Sequence, residues 1–175
     1  MILFQDEASV QHVPTLTRMW AKKGKQPKIP TPGGRKRQPL NGAVDPLGGR
    51  LHTALVNTLK ADQYQHFLEW LITRYPGKKL TLYTDNARAH HAKILEPFLD
   101  ANKDKFELKF LPKYSPDLNP QEDVWRKMRK TVTHNTFFET VKELQHALVI
   151  FFRKFKLSSQ EIMSLCKNGK LFNAL

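Results

Sequence analysis

The hydrophobic residues of this chain are spaced in two ways, as short runs near the start and as wider helical intervals later. The run Ile2-Leu3-Phe4 begins a predicted strand over residues 2–6. Residues 39–45 and 50–57 form a predicted hairpin that turns at Pro46-Leu47-Gly48-Gly49. The first part of the chain therefore predicts three strands.

The middle of the chain alternates predicted helices with strands. Apolar residues at helical spacing predict a helix over 61–75, which ends at Pro76-Gly77. A strand over 79–84, a helix from about Ala89 to Ala101 and a strand over 106–111 follow. A hairpin followed by strand-helix-strand units indicates a mixed α/β domain.

The last third of the chain, from about residue 119 to 175, is predicted to be helical. Six apolar residues form a wide stripe at helical spacing: Val141, Leu144, Leu148, Phe151, Phe152 and Phe155. Such a stripe is most simply the face of a helix that packs on the sheet, and a dimer face is the alternative. The length of 175 residues is that of a single domain.

The charge of the chain favours a polyanionic partner. The net charge is +13 and the pI is about 9.9, which points first to nucleic acid. A segment from about residue 8 to 38 is rich in proline and glycine and reads as a loop or extended arm. Its eight basic residues, which we expect to bind DNA, are Arg18, Lys22, Lys23, Lys25, Lys28, Arg35, Lys36 and Arg37. The alternatives are a solvated basic loop and, less favoured, a membrane-surface patch, since no amphipathic helix or lipidation signal accompanies the arm.

The single cysteine, Cys166, excludes an intramolecular disulfide and any zinc site built from paired cysteines. The apolar start of the chain is interrupted by Gln5, Asp6 and Glu7, so we read neither a signal peptide nor a membrane span. These features favour an intracellular protein.

Three acidic residues stand at the ends of predicted elements. Asp6 closes the first strand, Asp85 closes the strand over 79–84, and Glu122 lies just inside a helix that begins near Asn119-Pro120. Carboxylates brought within about 4 Å of one another repel by roughly 4 kcal/mol per pair at an effective dielectric near 20, so such a cluster needs a cation. Magnesium fits best, because it is held by few carboxylates together with substrate phosphates.

Each acid also has an ordinary structural interpretation. Asp6 could be a solvent-facing strand end, and strand alternation means that Glu7 points to the opposite face from Asp6. Asp85 could cap a helix. Glu122 falls at the third helical position after Asn119, where a glutamate normally completes a capping box.

Motifs around these acids resemble a known family. The segments are Phe4-Gln5-Asp6-Glu7, Tyr83-Thr84-Asp85-Asn86 with His90 downstream, and the long run from Tyr114 to Trp125. They resemble the DDE transposases of the mariner superfamily, and the bacterial insertion-sequence branch in particular. The segment from Arg18 to Pro27 is also similar to that branch.

The resemblance implies a ribonuclease-H-like mixed sheet of three antiparallel strands plus parallel strands, flanked by helices. It implies that Asp6, Asp85 and Glu122 are catalytic and hold two Mg²⁺ ions, with Mn²⁺ as a substitute. It also implies cutting of DNA at transposon ends and joining of the 3′-hydroxyl to target DNA, at a TA dinucleotide. Asn86 is expected to orient Asp85 or a water, and His90 to support the metal site or contact a phosphate.

Family members normally carry a helix-turn-helix reader ahead of this domain. Because Asp6 is almost at the start, we expect residues 1–175 to be the catalytic domain alone, with the reader truncated or on a separate polypeptide. The resemblance further implies a homodimer on DNA, with the arm as a clamp between subunits, and a cytoplasmic, nucleoid-associated protein of a bacterium or archaeon. The alternatives are a ribonuclease-H-like nuclease or resolvase without strand transfer, and a domesticated non-catalytic DNA-binding protein, which the three acids argue against.

Overall fold

A mixed five-stranded sheet forms the centre of the fold. The computed structural model describes residues 1–34, 36–113 and 115–167. The strands are β1 (Ile2–Gln11), β2 (Arg37–Asp45), β3 (Arg50–Leu55), β4 (Leu80–Thr84) and β5 (Phe106–Phe110). Their order across the sheet is β3-β2-β1-β4-β5.

The pairing of the strands confirms the predicted sheet. β1, β2 and β3 are antiparallel neighbours, whereas β4 and β5 add to the other side of β1 in parallel. The parallel register sets Phe4 beside Tyr83, so the chain that follows β4 begins beside the middle of β1. This register brings the ends of two predicted acid-bearing segments to one region of the sheet.

Five α-helices cover the sheet in the described ranges: α1 (Ala61–Thr73), α2 (Glu96–Ala101), α3 (Pro120–Met128), α4 (Val141–Phe155) and α5 (Ser159–Lys167). A π-helical turn over Arg129–Thr133 continues α3. The predicted continuous helix from Ala89 to Ala101 is wrong. Two 3₁₀ turns occupy Arg88–His91 and Lys93–Leu95, and α2 begins only at Glu96 because Pro97 is tolerated in a first turn but not in a helix interior.

Two hydrophobic layers lie on opposite faces of the sheet. One layer, under α1, includes Leu3, Tyr64, Leu68, Leu82 and Phe106. The other, under α3, α4 and α5, includes Phe4, Val44, Trp125, Leu148 and Phe152. The apolar stripe of α4 is therefore core, as predicted.

The basic arm is shorter than predicted, because β1 and β2 are longer. β1 pairs with β2 as far as Gln11 opposite Arg37, and the His12 N–H donates to the Lys36 carbonyl at 2.9 Å. We therefore define the basic arm as residues 12–36, which leaves Arg37 in β2. The buried side chains of Ala8 and Val10 in the α4-side core explain why the strand continues.

The beginning of the arm is tethered to the turn after the π-helical segment. Thr15 forms an isolated bridge with His134, and the Asn135 N–H donates to the Thr15 carbonyl at 3.0 Å. The Thr17 N–H donates to the Asn135 side chain at 2.8 Å. In the described ranges, none of the helices is long and apolar enough to cross a membrane.

Candidate active site

Strand alternation places Asp6 and Glu7 on opposite faces of the sheet. Asp6 shares its face with Phe4, in the layer under α3. Glu7 shares its face with Leu3, in the layer under α1. The prediction that the side chains of Asp6 and Glu7 point to opposite faces is confirmed.

Asp6 is held by a tryptophan of α3. The Trp125 Nε1–H donates to Asp6 Oδ2 at 3.0 Å. Burial, as the largest cause, and the nearby negative charges of Glu122, Glu7 and Asp85 together raise the pKa of Asp6 from 3.8 to about 8. A carboxylate surrounded in this way by other acids is stabilised by a bound cation.

Trp125 reaches Asp6 because a glycine lies beneath it. Gly42 pairs with Asp6 across the β1–β2 ladder. A Cβ at Gly42 would lie 2.5 Å from Trp125 Cη2 and 2.5 Å from Gln121 Nε2, closer than real contacts allow. Trp125 is fully buried and also serves as a hydrogen-bond donor to the site.

The start of α3 is fixed to β1 by Asn119. The Asn119 side chain accepts from the Gln121 N–H at 3.1 Å and donates through Nδ2 to the Gln5 carbonyl at 2.8 Å. The Asn119 N–H donates to the Pro116 carbonyl at 3.0 Å rather than to Glu122. The capping box that the sequence allows for Glu122 therefore does not form.

Glu122 instead points into a cleft. Among the described residues, no hydrogen bond or ion pair holds its carboxylate, which is partly exposed. Asp6, Asp85 and Glu122 all line one cleft with a volume of about 690 Å³. The structure thus brings together the three acids that the sequence singled out.

Two basic side chains that the sequence reasoning missed also line this cleft. They are Arg88, in the first 3₁₀ turn after β4, and Lys113, in the loop after β5. Both lie outside the basic arm, so the composition of that arm gave no signal for them. Their positions in the sequence could have identified them, because Arg88 follows β4 and Lys113 follows β5, and open sheets bind ligands at the carboxyl ends of parallel strands.

Asp85 lies at the mouth of the cleft, directly after β4. Its Oδ1 accepts from the Ala87 N–H at 2.9 Å and lies 3.1 Å from His90 Nδ1. Its side chain is 54% exposed. One oxygen of the Asp85 carboxylate is therefore held by these contacts, while the rest of the side chain is exposed.

His90 connects Asp85 to Glu7 below the cleft. Its Nε2 lies 2.8 Å from Glu7 Oε1, and its ring packs on Tyr64 with 4.3 Å between centroids. Burial by itself lowers the pKa of His90, but the hydrogen bond with Glu7 and the charges of Glu7 and Asp85 outweigh it and raise the pKa. His90 is buried, so it is neither a surface histidine nor a free one.

Glu7, Asp85 and His90 offer three potential metal-ligand atoms within 4.8 Å of one another. Both ring nitrogens of His90 already contact carboxylates. Mg²⁺ prefers oxygen ligands in octahedral geometry, which the three acids of the cleft supply better than this histidine cluster. Asp85 belongs to both groups and is the point at which they meet.

Asn86 tethers the cleft wall. Its Nδ2 donates to the Leu111 carbonyl at 2.6 Å, joining the segment after β4 to the segment after β5. Asn86 also lines the cleft. This position next to Asp85 is compatible with the predicted orienting role.

The described members of the predicted DNA-binding set do not line the cleft. Arg18, Lys22, Lys23, Lys25, Lys28 and Lys36 are all exposed in the arm, and Arg37 is exposed at the start of β2. Arg35 lies outside the described residues. Trp20 is fully exposed among these basic residues.

The chain matches a family model and a bacterial relative. The model, described as DDE superfamily endonuclease, matches residues 1–145. The relative, described as an uncharacterized 39 kDa protein of insertion element IS630 from Shigella sonnei, is 26% identical over 150 residues. That alignment covers 83% of this chain and 43% of the relative, so the chain spans less than half of the relative's length.

Solved structures of a mariner transposase share the fold. The Mos1 strand transfer complex aligns with a TM-score of 0.70 and 19% identity, covering 97% of this chain and 51% of that chain. The catalytic domain of Mos1 mariner transposase aligns with a TM-score of 0.61 and 17% identity, covering 95% and 78%. A Mos1 paired-end complex with Mg aligns with a TM-score of 0.65 and 20% identity, covering 95% and 53%. These similarities confirm the ribonuclease-H-like fold.

Proposed function

This chain belongs to the DDE superfamily endonucleases, and from that membership we propose that it is the catalytic part of a transposase. It cuts DNA at transposon ends and joins the freed 3′-hydroxyl to target DNA. The observation that carries the proposal is the single cleft lined by Asp6, Asp85 and Glu122. Catalytic roles for these acids also account for the absence of a capping-box bond to Glu122.

The same three carboxylates fit divalent metal ions. They are hard oxygen ligands, and burial together with neighbouring negative charge raises the pKa of Asp6 to about 8, so the cluster is short of positive charge. We assign Asp6, Asp85 and Glu122 as the ligands of two Mg²⁺ ions, with Mn²⁺ as a substitute. Such ions supply activation of the attacking oxygen and stabilisation of the leaving oxygen in an in-line displacement.

The other residues of the cleft hold the ligands and the DNA in place. Trp125 and Asn119 fix Asp6 and the start of α3 relative to β1. Among the described residues, Arg88 and Lys113 are the cations that line the cleft, and we assign them to phosphates beside the cut bond. Asn86 holds the cleft wall by its bond to the Leu111 carbonyl.

DNA outside the cleft is bound by the basic arm. Its described lysines and arginine are exposed and form no ion pair with an acid among the described residues, so they remain open to phosphates. Binding by such a segment is strongly salt-dependent and nearly indifferent to sequence. Recognition of the transposon ends then falls to a helix-turn-helix reader, either in the same longer protein or on a separate polypeptide.

The working form on DNA is a homodimer in which the basic arm reaches the second subunit. Trp20 is the apolar anchor of this contact, since it is fully exposed in the isolated chain. Deleting residues 22–36 and measuring the mass of the protein-DNA complex by light scattering tests this assembly. A deletion variant that stays dimeric and active contradicts it.

The catalytic proposal is tested with a duplex that carries a transposon end, incubated with Mg²⁺ and with or without the reader. We expect Asp85→Asn and Glu122→Gln to lower the cleavage rate by about 1,000-fold, because the ions contribute several kcal/mol and each 1.36 kcal/mol is tenfold. Asp123→Asn is the matched control, since Asp123 is also in the first turn of α3 but pairs with Arg126 at 2.5 Å.

The control should cut at the wild-type rate, and the two catalytic variants should retain DNA affinity and thermal stability. Wild-type cleavage by Glu122→Gln contradicts the assignment of Glu122. A second assay follows joining of the 3′-hydroxyl to a target plasmid. Cleavage without joining identifies a nuclease rather than a transposase.

A further inference from the structure

We propose that Glu7, acting through His90, is a positioning residue that fixes the Asp85 carboxylate in the cleft. This inference rests on the proposed function, because it assigns Asp85 to the catalytic group. Glu7 itself lies on the opposite face of the sheet from Asp6, and it contacts Asp85 through the ring of His90.

The imidazole ring of His90 spans two carboxylates from different strands. Its Nε2 lies 2.8 Å from Glu7 Oε1, on β1, and its Nδ1 lies 3.1 Å from Asp85 Oδ1, just after β4. The contact with Glu7 is an ordinary hydrogen bond, whereas the contact with Asp85 Oδ1 is an ion pair; the hydrogen bond between Nδ1 and Asp85 is made with the Asp85 carbonyl oxygen at 3.2 Å. One rigid ring therefore sets the separation between Glu7 and Asp85.

The direction of the bond to Asp85 follows from the surroundings of Nδ1. Besides Asp85 Oδ1, this nitrogen faces the Asp85 carbonyl at 3.2 Å and the Thr84 hydroxyl at 3.1 Å. The Thr84 hydroxyl donates to Gln5 Oε1, so it offers Nδ1 only lone pairs. Nδ1 is therefore the donor, the Asp85 carbonyl oxygen accepts its hydrogen bond, and Asp85 Oδ1 lies beside it as an ion-pair partner.

The His90 end of this chain is rigid and the Asp85 end is not. His90 is 2% exposed and packs on the Tyr64 ring, and the Glu7 side chain is 14% exposed. Asp85, by contrast, is 54% exposed. The buried pair thus acts as the fixed support, and the exposed carboxylate is the group that is held.

The hydrogen bond and the ion pair made by the Asp85 carboxylate leave one of its oxygens for a ligand. Both the Ala87 N–H and His90 Nδ1 contact Oδ1. Among the described residues, no hydrogen bond to Oδ2 accompanies them. The support therefore orients Asp85 with Oδ1 occupied and Oδ2 available to a metal ion.

Two histidine substitutions separate the two ends of the ring. In His90→Asn the amide nitrogen lies near the position of Nδ1 and can still donate to Asp85. In His90→Gln the amide lies near the position of Nε2 and can reach Glu7 but not Asp85. The matched controls are His91→Asn and His91→Gln, because His91 is the exposed neighbour that stacks on Phe110.

The direct readout is Mn²⁺ binding by the full chain, measured from the loss of the free-Mn²⁺ EPR signal. We expect His90→Gln and Glu7→Ala to weaken Mn²⁺ affinity by about 10- to 100-fold, as is typical when a partner that orients a ligand is lost. His90→Asn should lose less than His90→Gln, and Glu7→Gln, which keeps an acceptor for Nε2, should lose less than Glu7→Ala. DNA affinity at fixed salt and the His91 controls should match the wild type.

Coupling to Asp85 gives the decisive comparison. If Glu7 acts only through Asp85, then Glu7→Ala adds no further loss of Mn²⁺ affinity to Asp85→Asn. Additive losses overturn the proposal, as does equal Mn²⁺ affinity of wild type, Glu7→Ala and His90→Gln. Glu7→Gln keeps the test usable where Glu7→Ala does not fold.

A spin-echo measurement on the bound Mn²⁺ separates support from direct ligation. We expect no coupling from a directly bound histidine nitrogen, and its presence overturns the positioning role in favour of His90 as a ligand. DNA cleavage is measured separately: a wild type that binds Mn²⁺ with this pattern but cuts no DNA refutes the proposed function and leaves the role of Glu7 standing. A wild type that binds no Mn²⁺ overturns the positioning proposal.

Discussion

Substituting Gly42 with alanine tests whether the close packing of Trp125 on Gly42 controls both the stability of the protein and its DNA cleavage. The added Cβ would lie 2.5 Å and 2.6 Å from two carbons of the Trp125 ring, and 2.5 Å from Gln121 Nε2. Trp125 is fully buried and meets Phe152 edge to face at 6.1 Å between centroids, so it has little room to retreat. Overpacking of this kind costs about 1–3 kcal/mol.

With three close contacts against buried groups, we expect the upper end of that range. A loss of about 3 kcal/mol lowers the Tm by about 6–12 °C in a chain of this size. Any displacement of Trp125 also weakens its 3.0 Å bond to Asp6, so cleavage should fall together with stability. Thermal unfolding followed by circular dichroism, and cleavage assayed well below the Tm, give the two readouts.

Two further variants make this reasoning easy to refute. Gly33→Ala is the control, because a Cβ there meets nothing within 4 Å, and it should change stability by no more than about 0.5 kcal/mol. Trp125→Phe removes the ring atoms that the new Cβ would strike, so the double variant should lose less stability than the two single losses added together. A Gly42→Ala protein that unfolds and cuts like the wild type would show that the close approach has no energetic consequence.

Three other outcomes are expected. The pKa of Asp6 is raised from 3.8 to about 8 by burial and by neighbouring acids, so between about pH 4 and pH 8 the folded chain binds more protons than the unfolded chain. The metal-free protein should therefore lose stability as the pH rises through this window, as measured by urea unfolding in EDTA. Asp6→Asn should flatten this dependence of stability on pH. Trp125→Phe alone should destabilise the protein by about 1.5–3 kcal/mol in chemical unfolding, since a hydrogen bond to a charged or ionisable acid is lost, and a smaller change would mean that water replaces the indole. Neutralising Lys22, Lys23 and Lys25 together should reduce the slope of log DNA affinity against log salt by about 3, as measured by fluorescence anisotropy, and an unchanged slope would place the DNA on another surface.

The sequence predicted the sheet because its strands and turns carry local signals. Alternation around Asp6 correctly separated it from Glu7, and the proline and asparagine at 119–120 correctly marked the start of α3. The break before α2 was also visible in Pro97, although the apolar spacing of the neighbouring residues favoured a longer helix. The length of β1 was not predictable locally, because Ala8 and Val10 are strand residues only through their burial under α4.

The side-chain contacts around the site could not be predicted from the sequence alone. The bond from Trp125 to Asp6 joins residues far apart in sequence, and only the close approach over Gly42 permits it. The bridge from Glu7 to His90 likewise depends on the register between β1 and β4. Sequence motifs identified the acids, whereas the side chains that hold those acids emerged from packing.

The pairing of the two strand ends from which the basic arm leaves the sheet determines which changes in the arm the fold tolerates. Gln11 and Arg37 are paired neighbours, so the two ends of the arm leave the sheet only about 5 Å apart. Doubling the length of a flexible loop costs only about 0.6 kcal/mol, so the segment between these ends can grow, shrink or change composition at little energetic cost. The length and composition of the arm can therefore change while the register of the strand that carries Asp6 stays constant.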